Sequence, residues 1–303
     1  MKIKFEKVRC PICDTYENSR VLYKKNFSPK DLNVNIFSAR RIPDRIHYQI
    51  VKCNTCGLVR SDPVASGKVL DLLYRNSKFT YNNEVDNLKL TYIEALQSCL
   101  KKMSAEANIL EIGCGNGFVI EELQKMGFNN VYGIEPSLDA KDNAIVRVKS
   151  RITTGMFDKN SFDNNKFDLI FTFQTLDHIP DPNTFIKNVT SKLKKNGFFL
   201  AFNHDVSSYS SKIFGEKSPI IDIEHTFLYD RKTIIKLFEK FGIIIEKVYS
   251  PANIISLKHL IHLLPLPLKI KNRFTKSNSI LMNLRFKAKL GNLCIIGQKG
   301  ELK

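Results

Sequence analysis

Gly113, Gly115 and Gly117, three glycines at alternate positions, constrain this chain more than any other feature. They follow a short apolar run (Ile109, Leu110, Ile112) that reads as a buried strand. They precede an apolar segment at helical spacing, Phe118 to Met126, which stops at Gly127. A strand, a glycine turn and a helix bring backbone close to a nucleotide, because glycine removes the Cβ that would block the approach. A hydride-transfer fingerprint would place a third glycine at position 118, where this chain has Phe. The pattern is instead acidic-x-G-x-G-x-G, with Glu111 as its acidic member.

The stretches that follow extend the same architecture. Val131-Tyr-Gly-Ile-Glu135 is a second strand ending in a carboxylate, which can accept hydrogen bonds from both hydroxyls of an adenosine ribose. Arg151 to Thr154 and Lys166 to Phe173 read as further strands. A helix is expected over Asn183 to Lys195, then a turn at Asn196-Gly197 and a strand over Phe198 to Phe202. Val85, Leu88, Tyr92, Leu96, Leu100 and Met103 recur at three- and four-residue intervals and describe one amphipathic helix ahead of the first strand.

With these motifs in this order, the chain resembles the class I S-adenosylmethionine-dependent methyltransferases. The matching residues are Glu111-Ile-Gly-Cys-Gly-Asn-Gly117, Gly133-Ile-Glu-Pro-Ser137, Phe167-Asp-Leu-Ile170 and His178-Ile-Pro-Asp-Pro182. The resemblance covers roughly residues 85 to 250 and the last strand. It implies a Rossmann-like α/β sheet of seven strands whose last strand, Leu290 to Lys299, runs antiparallel beside Ile243 to Tyr249. It also implies S-adenosylmethionine as cofactor. Gly113, Cys114, Gly115 and Gly117 would then border the carboxypropyl end, Glu111 would orient the ammonium group, and Glu135 with Pro136 would meet the ribose. At the adenine, either Met156 and Phe157 sandwich the ring or Asp158 takes a polar role. Gln174 ends a strand near the sulfonium, and Tyr81 is a candidate contact from the segment ahead of the core.

Residues 1–84 carry Cys10-Pro-Ile-Cys13 and Cys53-Asn-Thr-Cys56-Gly57, two C-x-x-C knuckles that let four thiolates converge on a structural Zn²⁺, with iron or a lost site as the alternatives. Cys99, Cys114 and Cys294 lie in apolar contexts and read as buried thiols. Tyr48 to Pro63, together with the later Glu224-His225, is similar to the zinc module and acceptor site of bacterial sugar methyltransferases of glycan and secondary-metabolite clusters. That likeness implies an anionic, nucleotide- or lipid-linked sugar as acceptor. It also makes Glu224-His225 the leading general base and His178 a further candidate, with the carboxylate raising the basicity of the imidazole. Asp177-His178 and His204-Asp205 follow strand ends on the same edge.

The formal net charge of +17 sits outside the core. Residues 1–84 hold an excess of basic residues, and residues 251–289 hold eight Lys and Arg with no carboxylate. The second stretch, with its apolar Leu257 to Leu268, is expected as a helical insertion between the last two strands. It would either cap the acceptor pocket or touch a membrane surface. The basic module motivates an RNA-methyltransferase alternative, but it lacks the aromatic–basic interleaving that base stacking uses. A third reading is a binding protein that keeps the fold without catalysis, against which the intact glycines and Glu135 speak. No apolar run reaches membrane-span length, and the charged Met1 to Lys7 is unlike a signal peptide, so the expected compartment is the cytoplasm. Oligomeric state is left open by the sequence.

Overall fold

A computed structural model describes residues 3–29, 32, 36, 45–78, 85–264, 266–267 and 280–300. Tyr81 lies outside the described residues. In chain order, the first elements are the strands β1 (Phe5–Glu6), β2 (Ser19–Tyr23), β3 (Ile50–Cys53), β4 (Val59–Ser61) and β5 (Val64–Ala65). Helices α1 (Gly67–Arg75) and α2 (Val85–Leu100) follow. Next come β6 (Asn108–Ile112), α3 (Phe118–Lys125), β7 (Asn130–Glu135), α4 (Leu138–Asp142), α5 (Val146–Lys149) and β8 (Ile152–Thr154). The chain continues through β9 (Phe167–Phe173), α6 (Pro182–Lys192), β10 (Leu193–His204), α7 (Tyr209–Phe214), β11 (Phe227–Leu228) and α8 (Arg231–Glu239). It closes with β12 (Ile243–Tyr249), β13 (Asn253–Ser256), α9 (Leu257–Leu263), β14 (Arg285–Ala288) and β15 (Asn292–Lys299).

The central sheet has seven strands in the order β12-β15-β10-β9-β6-β7-β8. Strands β8, β7, β6, β9 and β10 run parallel, and β15 is antiparallel to both β10 and β12. The order reverses between β6 and β9, which puts the ligand crevice at their carboxyl ends. β9 is apolar along almost its whole length because helices cover both faces of the sheet. On one face, α2 and α3 pack through Tyr92, Leu96, Phe118 and Leu123 against Ile109, Leu169 and Phe171. On the other, α6 and α8 pack through Phe185, Ile186, Ile234 and Phe238 against Leu110, Ile170 and Phe199. Helix ends follow the local chemistry. Asp181 accepts from Thr184 N at 3.1 Å with Pro182 in the first turn, and Asp230 and Thr233 form a capping box.

The structure alters three expectations. The helix expected to run to Lys195 ends at Lys192, and β10 begins at Leu193, five residues ahead of Phe198. Leu193 is fully buried and pairs with Phe167, while the Lys192 ammonium is tied to the carbonyls of Lys159 and Phe162. Burying those side chains requires an extended chain there, and the register shift between Leu193 and Phe198 absorbs the turn. The insertion at 251–289 is not purely helical. It opens and closes with β13 and β14, an antiparallel ribbon whose Ile254 N donates to Thr91 Oγ1 on α2 at 2.9 Å.

The third concerns the N-terminal module, which is built into the core. Its sheet runs β11-β4-β3-β2, and β11 comes from well beyond the module, at Phe227–Leu228. Val8, Tyr48 and Leu58 join Ile223, Phe227 and Tyr229 in one continuous apolar core. Arg60, 1% exposed, donates from Nε to Val8 O and from Nη2 to Tyr16 O, and Asp62 Oδ1 accepts from Val8 N. Pairing across the expected boundary at residues 84 and 85 thus ties the module to the later loop that carries Glu224 and His225.

Candidate active site

A cavity of about 700 Å³ opens at the carboxyl ends of β6, β7, β9 and β10. Gly113 and Gly115 form its floor, both with positive φ, and Glu135, Pro136, Met156, Phe157, Asp158 and Gln174 line it. Glu135 Oε2 accepts from Gly115 N at 2.8 Å and Oε1 accepts from Ser137 N at 3.0 Å. One carboxylate therefore fixes both the glycine turn and the chain beyond β7. Asp158 Oδ1 is occupied by Asn160 N, Ser161 N and Ser161 Oγ. Met156 and Phe157, the latter packed edge-on against Phe185, add an apolar surface beside it.

Three of the expected cofactor residues do not line the cavity. Glu111 is fully buried on β6. Cys114 packs against Gly133, where a Cβ would lie 2.5 Å from its Sγ. Gly117 is the N-cap of α3 at φ +73°, and a Cβ there would meet Val148 Cγ1 at 2.4 Å. Cys114 and Gly117 are thus packed against neighbouring chain, which sequence spacing alone does not show.

The opposite side of the cavity holds three of the six histidines around Asp177. The short 3₁₀ turn Leu176–His178 follows β9, His204 ends β10, and His225 sits in the loop before β11. His204 Nδ1 donates to Asp177 Oδ2 at 2.9 Å. His178 Nε2 lies 3.8 Å from Asp177 Oδ1, and its Nδ1 meets the Tyr74 hydroxyl at 3.1 Å. His225 Nδ1 donates to Ile220 O at 2.8 Å, and its Nε2 lies 3.9 Å from Asp177 Oδ2. Burial alone would raise the Asp177 pKa, but the His204 hydrogen bond and the His178 and His225 imidazoles hold it well below the usual carboxylate range.

Carboxylates do raise the basicity of His225, as expected, but they are Asp177 and Asp222, and burial outweighs them. Burial lowers its pKa, the His204 ring adds to this, and the carboxylate facing its Nε2 is Asp177. Glu224 and His225 both line the cavity as expected, and Asp222 orders their loop by accepting from Glu224 N and His225 N. Ser61 Oγ donates to His225 O at 2.8 Å, and Thr226 N donates to Asp177 O at 2.9 Å, so the N-terminal module and the β9 turn grip this loop together. Sequence reasoning did not assign a role to Tyr74 or set His204 above the other candidates. Their signals were an amphipathic helix and a strand end, neither of which specifies contacts 104 and 27 residues away in the chain.

The outer part of the cavity is apolar. Ile254, Ile255, Leu260, Leu263 and Leu264 from the 251–289 insertion line it with Phe214 and Ile220. Among the described residues lining it there is no Lys or Arg, so an anionic acceptor finds no cationic partner in this set. No helix among the described residues is long and apolar enough to cross a membrane.

Away from the cavity, Cys10, Cys13, Cys53 and Cys56 converge, with their sulfurs within 4.8 Å of one another. Cys10 and Cys56 sulfurs are 3.5 Å apart and those of Cys13 and Cys53 are 3.9 Å apart.

A family model described as a methyltransferase domain matches residues 85–248. The chain is similar to the ubiquinone biosynthesis O-methyltransferase of Histophilus somni, at 28% identity over 152 residues, or 46% of this chain and 62% of that protein. It is also similar to the protein of the same name from Nitrosomonas europaea, at 26% identity over 176 residues, covering 52% and 70% of the two chains. The match thus spans less than two thirds of the Histophilus protein. Among solved structures, the complex of the Haloferax volcanii Trm112 methyltransferase activator with a methyltransferase aligns with a TM-score of 0.50 at 14% identity, over 73% of this chain and 95% of that one. A methyltransferase from Thermotoga maritima aligns over 71% of this chain and 90% of that one, with a TM-score of 0.46 at 18% identity. The Haloferax likeness bears on the fold alone.

Proposed function

From the premise that this chain belongs to the methyltransferase-domain family and is an S-adenosylmethionine-dependent methyltransferase, we propose that it methylates a hydroxyl oxygen on a small acceptor with an apolar arm. The observation that carries this is the two-part cavity, with a His–Asp cluster inside and an aliphatic wall outside. The name of the similar O-methyltransferases supports an oxygen acceptor. A lipid-linked sugar has this two-part chemistry. A nucleotide-linked sugar is disfavoured, because no described cation faces the cavity to meet its phosphates.

S-adenosylmethionine supplies an electrophilic methyl. The chain's residues hold it and align the acceptor. Gly113 and Gly115 admit the cofactor's backbone-facing side, Glu135 takes the ribose hydroxyls, and Met156 and Phe157 cover the adenine. His204 is the proposed base. Its Nδ1–H is committed to Asp177, so Nε2 carries the lone pair, and at 26% side-chain exposure it reaches the cavity. The acceptor proton goes to His204 Nε2 while the oxygen pair forms the bond to carbon and the S–C pair returns to sulfur. His178, Glu224 and His225 shape the acceptor side.

The four cysteines are proposed to hold a structural Zn²⁺. Ligands on a tetrahedral ion at about 2.3 Å have sulfurs roughly 3.8 Å apart, which the two measured pairs bracket. When bound, the ion ties the two knuckles of the module together, and the module grips the His225 loop through Ser61 and β4.

Labelled methyl transfer into three pools tests the proposal: apolar extract, nucleotide sugars and RNA. Label in the apolar pool is expected, with His204→Gln lowering kcat by ~10²-fold or more while S-adenosylhomocysteine binding stays within about twofold of the parent, since Glu135 and the glycines remain. Label confined to nucleotide sugars or RNA would overturn the acceptor class.

A further inference from the structure

The arrangement around Asp177 contains a conflict that a base–carboxylate dyad does not resolve. The Ile220 carbonyl can only accept, so His225 Nδ1 carries the proton of its 2.8 Å hydrogen bond. In the neutral ring, Nε2 is then a bare lone pair, and it faces a buried carboxylate oxygen at 3.9 Å. Asp177 Oδ1 is buried and has no hydrogen-bond partner among the described residues, and His178 Nε2 stands 3.8 Å from it. Both separations are too long for a hydrogen bond. The His178 Nε2–Asp177 Oδ1 separation suits two ligands of one ion, since donors about 2.1 Å from a metal lie roughly 3.0–4.2 Å apart.

We propose that Asp177, His178 and His225 form a binding site for a first-row divalent transition-metal ion on the acceptor side of the cavity. The donor atoms of the three lie within 4.8 Å of one another, so the ion draws them together slightly. Their remaining atoms are already anchored as metal ligands require. His225 Nδ1 is held by Ile220 O, His178 Nδ1 by the Tyr74 hydroxyl, and Asp177 Oδ2 by His204 Nδ1. Two imidazoles and one carboxylate suit Zn²⁺, Fe²⁺ or Mn²⁺ better than Mg²⁺ or Ca²⁺. Three protein ligands leave coordination positions open toward the cavity. An acceptor hydroxyl bound there would lose its proton more readily, with His204 beside it to receive that proton. Metal binding itself does not depend on which acceptor is used.

The test is cobalt binding to the full chain as isolated, with the metal content of the four-cysteine site measured first. One equivalent of Co²⁺ beyond that site is expected, with ligand-field absorption but no thiolate-to-cobalt charge transfer. Asp177→Asn and His178→Ala should each weaken it tenfold or more, while circular dichroism and S-adenosylhomocysteine binding stay as in the parent. His178 reaches the cavity surface, so its variant carries the test if Asp177→Asn does not fold. The absence of a second equivalent at millimolar Co²⁺, or parent-like cobalt binding in both variants, would overturn the site. Neither readout uses methyl transfer, so failure of the acceptor proposal leaves this test intact.

Discussion

Replacing Glu135 by Gln separates cofactor binding from backbone support at one residue. In the parent, Oε1 and Oε2 each accept a backbone N–H, from Ser137 at 3.0 Å and from Gly115 at 2.8 Å. An amide can offer only one oxygen, so one of these N–H groups would face an NH₂ donor instead. Losing one charge-assisted bond and burying an unmatched donor costs about 2–4 kcal/mol in the free protein. At about 2–4 °C per kcal/mol for a chain of this size, the melting temperature should fall by roughly 4–16 °C. In the complex the amide also loses the charge that attracts the ribose hydroxyls, about 1.5–3 kcal/mol, or roughly 10–150-fold in Kd. The assays are calorimetric titration with S-adenosylhomocysteine and thermal unfolding of the same preparation. A lower melting temperature with an unchanged Kd would refute the ribose role and leave Glu135 as a brace for the glycine turn.

Other predictions follow from neighbouring contacts. Gly117→Ala should destabilise the fold by about 1–3 kcal/mol, because its φ of +73° is unfavourable for Ala and the new Cβ meets Val148; chemical denaturation measures this directly. Stripping the four-cysteine site with a chelator should lower kcat more than cofactor affinity, since the module holds the His225 loop through Ser61 O–H and the β4–β11 pairing; steady-state kinetics beside cofactor titration would show it. Leu260→Asp should raise KM for an apolar-armed acceptor by about tenfold or more, by exposing a charge to the aliphatic wall; an equal KM would remove α9 from the acceptor site.

Much of the frame could be read from the chain because it rests on local rules. Periodic apolar residues along Val85 to Leu100, the run Phe167 to Phe173 and the glycines after Ile112 each specify an element through their own backbone and immediate neighbours. Their order carried the family resemblance, which implied the seven strands with an antiparallel β15. The two C-x-x-C knuckles could likewise be paired, since each already forms half a site. The sequence alone could not rank His178, His204 and His225, because each ends a different element and only the folded sheet edge brings them round Asp177. Nor could it show that burial lowers the pKa of His225, since desolvation depends on what packs over a ring. Glu111, Cys114 and Gly117 matched the motif yet do not line the cavity, a distinction set by which side of the chain faces the crevice. The same holds for β11 completing the N-terminal sheet: two residues 167 and 169 positions from their partners carry no local signal, and only tertiary structure joins the cysteine module to the acceptor loop.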